Sequence, residues 1–179
     1  MIYIYLAQGF EEIEALTPVD MLRRCGADIK LIGVGSKNIV GAHGIEITCD
    51  MIIGEETYDD SLEMIILPGG MPGTLNLEKC ENVQKAIDFA IDNNLYIAAI
   101  CAAPMILGNR GLLNGKNAVC YMGFEKYLKG ADVPSQRVCV CDNFITAVGM
   151  GAAAEFSLEL VKLLYSQIRA EELKCSTLC

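Results

Sequence analysis

The order of apolar and polar positions along the chain predicts alternating strands and helices. Short apolar runs alternate with longer amphipathic segments, a pattern typical of a mostly parallel sheet with helices on both faces. The predicted strands cover 1–7, 28–34, 64–67, 95–100, 117–120, 137–140 and 144–148, with a small hairpin pairing 39–40 with 45–48. The predicted helices cover 11–25, 82–93 and 151–168, and a further helix opens after residue 101. The fold class is therefore α/β.

The chain is long enough for one domain with a large core. Its 179 residues include no internal repeat, linker or low-complexity segment. We predict a single domain over 1–170, followed by a C-terminal tail over 171–179 that is expected to be disordered.

Four predicted strands end in residues of unusual chemistry or backbone freedom. In a parallel α/β sheet, sites lie beyond the carboxyl ends of the strands. We therefore expect these four ends to converge on one edge of the sheet, provided that all four strands are parallel. The ends are Gln8-Gly9-Phe10, Pro68-Gly69-Gly70, Cys101 and Gly149-Met150-Gly151.

Cys101 has the strongest local context for chemistry. It follows an apolar run and precedes Ala102-Ala103-Pro104, in which the proline suits the first turn of a helix. This pattern predicts a sharp strand-to-helix turn. The positive end of the helix dipole would favour the thiolate there and so produce a nucleophile. The alternative is a buried free cysteine that packs as a small hydrophobe.

A thiolate that attacks a carbonyl group needs donors for the developing negative charge. Backbone N–H groups can provide them without reorganisation of side chains. The N–H groups of Gly70 and Ala102 are the candidates, because both lie at the predicted edge beside Cys101. The alternative for Pro68-Gly69-Gly70 is a tight turn without a catalytic role.

The acid–base partner is sought first among the glutamates of the first helix. Glu11 and Glu14 are three residues apart and would share a helix face. Burial and the like charge of a thiolate would keep an inward Glu14 protonated, able to hydrogen-bond the sulfur and to move protons. The alternative is that Glu11, Glu12 and Glu14 only favour a helix N-terminus. The single histidine, His43, falls in the predicted hairpin turn and is interpreted as a solvated residue without a partner, its role left open.

Composition excludes several classes of function. The net charge is -9 and no cluster of Lys or Arg occurs, so nucleic acid is not expected as the main partner. No apolar stretch has the length of a membrane span, and the N-terminus is interpreted as a strand instead of a signal peptide. The nine cysteines are scattered, as expected for reduced thiols in the cytoplasm, and none has the spacing of paired zinc ligands. No dinucleotide fingerprint follows the first strand, so neither a cofactor nor a metal is expected.

Five segments together, in this order and spacing, resemble the ThiJ/PfpI superfamily, in the branch of the parkinsonism-associated protein deglycase, over about residues 1–170. The resemblance implies a flavodoxin-like three-layer sandwich with a mostly parallel sheet, usually a homodimer. It also implies that Cys101 is an oxidisable nucleophile, Glu14 its protonated partner, and Gly70 and Ala102 the oxyanion donors. The segments are Gly9-Phe10-Glu11-Glu12-Ile13-Glu14, Pro18-Val19-Asp20, Leu67-Pro68-Gly69-Gly70, Ala99-Ile100-Cys101-Ala102-Ala103-Pro104 and Gly149-Met150-Gly151-Ala152-Ala153-Ala154-Glu155-Phe156.

The chain departs from the family pattern at two places. The branch often has a histidine near the nucleophile, where this chain carries Tyr121; Asp20, which would support that histidine, is then left open as a structural residue. Ala102-Ala103 follows the nucleophile where protease-like relatives have His-Gly, so peptidase activity is not expected.

The resemblance implies two alternative functions. One is a cysteine-dependent, cofactor-independent glyoxalase or deglycase that acts on small 2-oxoaldehydes or on their early glycation adducts. The other is a non-enzymatic redox sensor or chaperone that is switched by oxidation of Cys101. Both need a reactive, partly exposed cysteine, so the sequence leaves both open.

Overall fold

Nine strands and six α-helices are found in the computed structural model, which describes residues 1–179. The strands are β1 (Ile2–Leu6), β2 (Ile29–Gly33), β3 (Asn38–Val40), β4 (Glu46–Thr48), β5 (Met51–Ile52), β6 (Met64–Leu67), β7 (Tyr96–Ile100), β8 (Val138–Cys141) and β9 (Phe144–Ala147). The helices are α1 (Glu12–Arg24), α2 (Gly73–Lys79), α3 (Glu81–Asp92), α4 (Pro104–Asn109), α5 (Ala153–Leu164) and α6 (Gln167–Thr177), with short 3₁₀ helices at Glu125–Tyr127 and Met150–Ala152.

Seven of the strands form one sheet in the order β5-β2-β1-β6-β7-β9-β8. All neighbours in this sheet are parallel except β8 and β9, while β3 and β4 form a separate antiparallel hairpin. The α/β prediction, the flavodoxin-like architecture and the hairpin are therefore confirmed. None of the α-helices combines the length and apolar character needed to span a bilayer.

Apolar layers on both faces of the sheet explain why its central strands are apolar throughout. Side chains of a strand point alternately to its two faces. In β1, Ile2 and Ile4 pack in the layer that includes α1 and α5, whereas Tyr3 and Tyr5 pack in the layer that includes α3 and α4. Both layers exclude water, so neither face of β1 selects polar residues.

The chain reverses its direction of travel across the sheet between β1 and β6. From β1 it first builds β2 on one side, and it later places β6 on the other side. Such a switch point opens a crevice at the carboxyl ends of the two strands. The ends of β1, β6, β7 and β9 lie along this edge because the four strands are parallel, as predicted.

The predicted strand over 117–120 is wrong. Only an isolated bridge joins Asn117 to Asp132 there. The backbone of this segment does not pair with a neighbouring strand: the N–H of Val119 donates to the side-chain Oγ1 of Thr146 at 2.9 Å, and the N–H of Ala118 donates to the carbonyl of Asp132 at 3.0 Å. The apolar character of the segment reflects the burial of Ala118, Val119 and Cys120.

The single closing helix predicted over 151–168 is also wrong. Ser166 has an extended backbone between α5 and α6, and its hydroxyl accepts a hydrogen bond from the N–H of Arg169 at 3.2 Å, which caps α6. Ala170 and Leu173 are buried, so the expected tail is helical up to Thr177 and not disordered. The domain division itself stays a prediction. The short elements β5 and α2 had no sequence prediction.

Candidate active site

Cys101 lies in a strained turn between β7 and α4. Its φ of 64° is in the left-handed region, which residues with a side chain rarely adopt. Backbone hydrogen bonds fix this conformation: the N–H of Cys101 donates to the carbonyl of Ala147 at 2.9 Å, and its carbonyl accepts from the N–H of Tyr121 at 2.8 Å. Pro104 lies in the first turn of α4. The predicted sharp turn is confirmed.

Glu14 projects from the first turn of α1 to the Cys101 sulfur. Its carboxyl group hydrogen-bonds the thiol and accepts the N–H of Gly69 at 3.1 Å, and the residue is only 1% exposed. The capping role belongs to Glu11, whose carboxylate accepts the N–H of Glu14 at 2.6 Å. The alternative interpretation of the glutamates as helix-terminus residues thus fits Glu11, whereas Glu14 is a buried partner of the thiol.

Missing side chains at two glycines leave room around the thiol. A Cβ atom at Gly69 would lie 2.4 Å from Oε2 of Glu14 and 2.6 Å from Cβ of Cys101. One at Gly149 would lie 3.8 Å from the sulfur. The N–H groups of Gly70 and Ala102 lie beside the sulfur and favour its thiolate form. The structure thus brings together Cys101, Glu14, Gly70 and Ala102, the four residues selected from the sequence; their catalytic roles stay predictions.

Glu14 and Cys101 perturb each other's protonation. Burial raises the pKa of the Glu14 carboxyl group from its ordinary 4.5 to about 7. Burial, together with the negative charge of Glu14, raises the pKa of the Cys101 thiol to about 12, although the amides of Ala102 and Gly70 oppose this rise. The raised pKa of Glu14 agrees in direction with the expectation from the sequence, and its protonation at neutral pH stays a prediction. An ionised Glu14 opposes the thiolate expected from the turn, because the carboxylate repels a second negative charge, and the reactive thiolate stays a prediction.

The two groups therefore titrate as a pair. Between about pH 7 and about pH 12 the pair holds one proton, on either the sulfur or the carboxyl oxygen. A proton on Glu14 removes the repulsion and supplies a hydrogen-bond donor to the sulfur. The arrangement can thus produce a thiolate by moving a proton across one hydrogen bond, without any loss of a proton to solvent.

An open cavity of about 990 Å³ lies over the thiol. Glu14 and Cys101 contribute to its wall, and its rim carries the exposed apolar side chains of Met122, Val133 and Met150. Cys120, which sequence reasoning did not single out, also lines it. Burial raises the pKa of Cys120 to about 12, so the cavity holds a second thiol that is also disfavoured as a thiolate.

His43 has a partner, contrary to the sequence interpretation. Its ring Nδ1 lies 2.7 Å from Oε2 of Glu12, and its backbone N–H donates to Oε1 of the same carboxylate at 2.7 Å. Glu12 is 3% exposed, and a Cβ atom at Gly41 would lie 2.3 Å from its Oε1, so the glycine makes room for the carboxylate. The imidazole is exposed and lines the Cys101 cavity. Glu12 and His43 are 31 residues apart in the sequence, so no local sequence pattern predicts that they pair.

The two remaining residues of uncertain role occupy different places. Tyr121 lies against the site, since a Cβ atom at Gly149 would be 3.3 Å from its ring. Asp20 forms an exposed ion pair with Arg24 at 2.7 Å and does not line the cavity.

One group of side chains has the atom types that could ligate a metal ion. The ligand atoms of Glu11, Glu12 and His43 all lie within 4.8 Å of one another. Both oxygens of Glu12 are engaged by His43, so this ion pair accounts for the cluster.

Comparisons with known proteins agree with this fold. The chain is 37% identical to Protein DJ-1 homolog B of Arabidopsis thaliana over 96% of its length, and spans 40% of that relative. It is 29% identical to the glutathione-independent glyoxalase DJR-1.2 of Caenorhabditis elegans, over 86% of the chain and 82% of the relative. The solved structure of oxidized Toxoplasma gondii DJ-1 superposes with a TM-score of 0.92 at 32% identity, covering 99% and 97% of the two chains. A model of the DJ-1/PfpI family matches residues 1–163. The chain therefore belongs to the DJ-1/PfpI family.

Proposed function

We propose that the protein converts small 2-oxoaldehydes, or the early adducts that they form with amines and thiols, to 2-hydroxy acids by cysteine catalysis without a cofactor. The observation that carries this proposal is the thiol of Cys101, which lies beside the buried carboxyl group of Glu14 and the backbone amides of Gly70 and Ala102. This arrangement combines a nucleophile, a proton acceptor and two donors for an oxyanion.

The first step is the addition of Cys101 to the aldehyde carbon, C1. Glu14 takes the thiol proton as the C–S bond forms, and the negative charge that develops on the aldehyde oxygen, O1, is stabilised by the N–H groups of Gly70 and Ala102. Protonation of O1 then gives a neutral hemithioacetal. The raised pKa of Glu14, about 7, suits a group that must both accept and return a proton near neutral pH.

An internal redox step follows. Glu14 removes the hydrogen from C1 and delivers it to the neighbouring carbonyl carbon, C2, so that C1 is oxidised to a thioester while C2 is reduced to an alcohol. Water then adds to the thioester carbon and the C–S bond breaks, which releases the 2-hydroxy acid and returns the thiol. The sum for the free aldehyde is one aldehyde plus one water, and no external oxidant or reductant is consumed. From an adduct, the bound amine or thiol leaves C1 with a proton as the bond from C1 to Cys101 forms.

The name of the Caenorhabditis elegans relative supports this reaction, since it describes a glyoxalase that is independent of glutathione. Here Cys101 would take the place of an external thiol. The departure at Tyr121 leaves the reaction intact, because Glu14 is the group that hydrogen-bonds the sulfur.

The test is the formation of hydroxy acid from methylglyoxal by purified protein without glutathione or metal. Cys101→Ser should abolish turnover, and Cys139→Ser serves as a matched control at a buried thiol outside the cavity. The acid itself should be measured, because aldehyde loss also reports reversible addition to the nine free cysteines. Wild-type protein that forms no acid, or Cys101→Ser at the wild-type rate, would refute the proposal.

The second candidate function is a redox sensor or chaperone that responds to oxidation of Cys101. The similar Toxoplasma gondii structure is described as oxidized, and a protonated Glu14 could donate a hydrogen bond to a cysteine sulfinate. Peptide mass spectrometry after limiting peroxide tests this: Cys101 should oxidise first. Earlier oxidation of the exposed Cys175 would contradict it.

We also propose a cytoplasmic homodimer. All nine cysteines are free, as in a reducing compartment. The exposed apolar side chains Ile13 of α1, Val40 of β3 and Ile45 of the hairpin turn are candidates for a contact between two copies. A sedimentation mass near 19.4 kDa at micromolar concentration would contradict the dimer.

A further inference from the structure

The proposed isomerisation moves two hydrogens, and Glu14 accounts for only one. One hydrogen passes from C1 to C2. In addition, the hydroxyl on C1 must lose its proton while O2, the oxygen on C2, gains one. The Glu14 carboxyl group is held by the N–H of Gly69 and by the sulfur of Cys101. These contacts hold the carboxyl group beside C1, so a second group that moves the proton between the two oxygens would leave Glu14 to move the hydrogen between the two carbons.

His43 is built as such a group. The buried carboxylate of Glu12 binds both its ring Nδ1 and its backbone N–H, each at 2.7 Å. This leaves the ring Nε2 without a partner in the chain, on an imidazole that lines the same cavity as Cys101. A carboxylate that fixes one ring nitrogen of a histidine sets its orientation and stabilises its protonated form.

We propose that His43, oriented by Glu12, is the second proton-transfer group of the Cys101 cavity, donating a proton from Nε2 to O2 and taking the proton of the O1 hydroxyl. The inference rests on the proposed glyoxalase-type reaction. The balance closes within the step: the imidazolium gives one proton, the imidazole receives one, and His43 ends as it began. Glu14 moves the hydrogen between the two carbons, whereas His43 moves the proton between the two oxygens.

The charged surroundings favour the protonated form of His43. Against the imidazole lie Glu12 and Glu11, both from the start of α1, with ligand atoms within 4.8 Å of one another. Across the cavity the charged groups are Glu14, Glu125 and Arg137. The hydrogen bond and charge of Glu12, followed by the charge of Glu11, raise the pKa of His43 above its ordinary 6.5. Turnover should therefore rise with ionisation of the Glu14 carboxyl group and fall as the pH rises through the raised pKa of His43.

The experiment measures hydroxy acid formation from methylglyoxal in wild type, His43→Gln and His43→Ala. We expect kcat to fall by at least about 10-fold in both variants, as general acid–base catalysis commonly contributes more than this. The fall on the alkaline side of the pH profile should disappear in His43→Gln. Added imidazole should restore part of the rate of His43→Ala, because the site is open to solvent. Glu46→Gln, at an exposed carboxylate of the same hairpin, is the matched control and should keep the wild-type rate.

Two further measurements separate a chemical role from a structural one. The rate of Cys101 alkylation by iodoacetamide and the melting temperature should stay close to wild type in His43→Gln. An active wild type with equal kcat and an unchanged pH profile in His43→Gln would overturn the inference alone. So would a loss of rate that imidazole does not restore in His43→Ala. A wild type that forms no hydroxy acid would overturn the proposed function, and this inference with it.

Discussion

Glu12 and Glu14 are two buried glutamates in the same turn of α1, and their environments drive their protonation in opposite directions. Glu12 faces His43, and Glu14 faces Cys101. Burial alone would raise the pKa of Glu12, but hydrogen bonds from the side chain and backbone of His43 outweigh it and hold this pKa below its usual range. Burial raises the pKa of Glu14 to about 7, since its thiol partner brings no positive charge.

The difference shows that burial does not decide the charge of a carboxyl group by itself. Both residues are at most 3% exposed. A partner that can become a cation turns one carboxylate into a fixed anion, and this anion orients an imidazole. A partner that can only become an anion turns the other into a proton carrier. Ile13, which lies between them, points outward, so the helix sends the two carboxyl groups to different parts of the site.

The largest expected effect comes from Glu14→Gln, in which two properties of Cys101 should change in opposite directions. Turnover should fall by about 100-fold or more, because Gln cannot carry a proton. Alkylation of Cys101 by iodoacetamide at pH 8.5 should instead become about 10-fold faster, because loss of the carboxylate charge lowers the pKa of the thiol. Kinetics with methylglyoxal and peptide-resolved alkylation measure the two effects. Slower alkylation in the variant would show that the Glu14 carboxylate does not repel the thiolate.

The surroundings of Glu14 could be predicted from the sequence, whereas those of Glu12 could not. The turn at Cys101, the glycines beside it and the inward Glu14 follow from local patterns: an apolar strand before a small-small-proline segment, and a glutamate among apolar neighbours. The Glu12–His43 pair depends on where the β3–β4 hairpin docks on α1, and no periodicity encodes that contact. The raised pKa of Cys101 likewise depends on a charge that only the folded chain brings to the sulfur.

The dependence of protein stability on pH should also differ between variants of Glu14 and Glu12. The pKa of Glu14 is raised in the folded protein from 4.5 to about 7. A raised folded-state pKa gives a contribution that is full below pH 4.5 and is lost as the pH rises through about 7, and this difference amounts to about 3 kcal/mol. Glu14→Gln does not titrate and can still accept the N–H of Gly69. It should match wild type near pH 4 and be more stable by up to about 3 kcal/mol at pH 8.5. Urea unfolding under reducing conditions measures this, and a gap that does not grow with pH would refute it.

The smallest expected effect is that of Glu12→Gln, and its dependence on pH should differ in sign. Gln keeps one acceptor for His43 but loses the charge, so the variant should be less stable by about 1–2 kcal/mol. The pKa of Glu12 is lowered from 4.5, so its contribution is present above pH 4.5 and is lost as the pH falls through the lowered value. The pKa of His43 is raised from 6.5, so its contribution is present below pH 6.5 and is lost as the pH rises through the raised value.

The cost of Glu12→Gln should therefore be greatest between about pH 4.5 and 6.5 and shrink at pH 9, where the gain from Glu14→Gln is greatest. Urea unfolding of both variants at pH 5.5 and pH 9 makes the comparison. A cost of Glu12→Gln that increases towards pH 9 would mean that His43 is not held as a cation by Glu12.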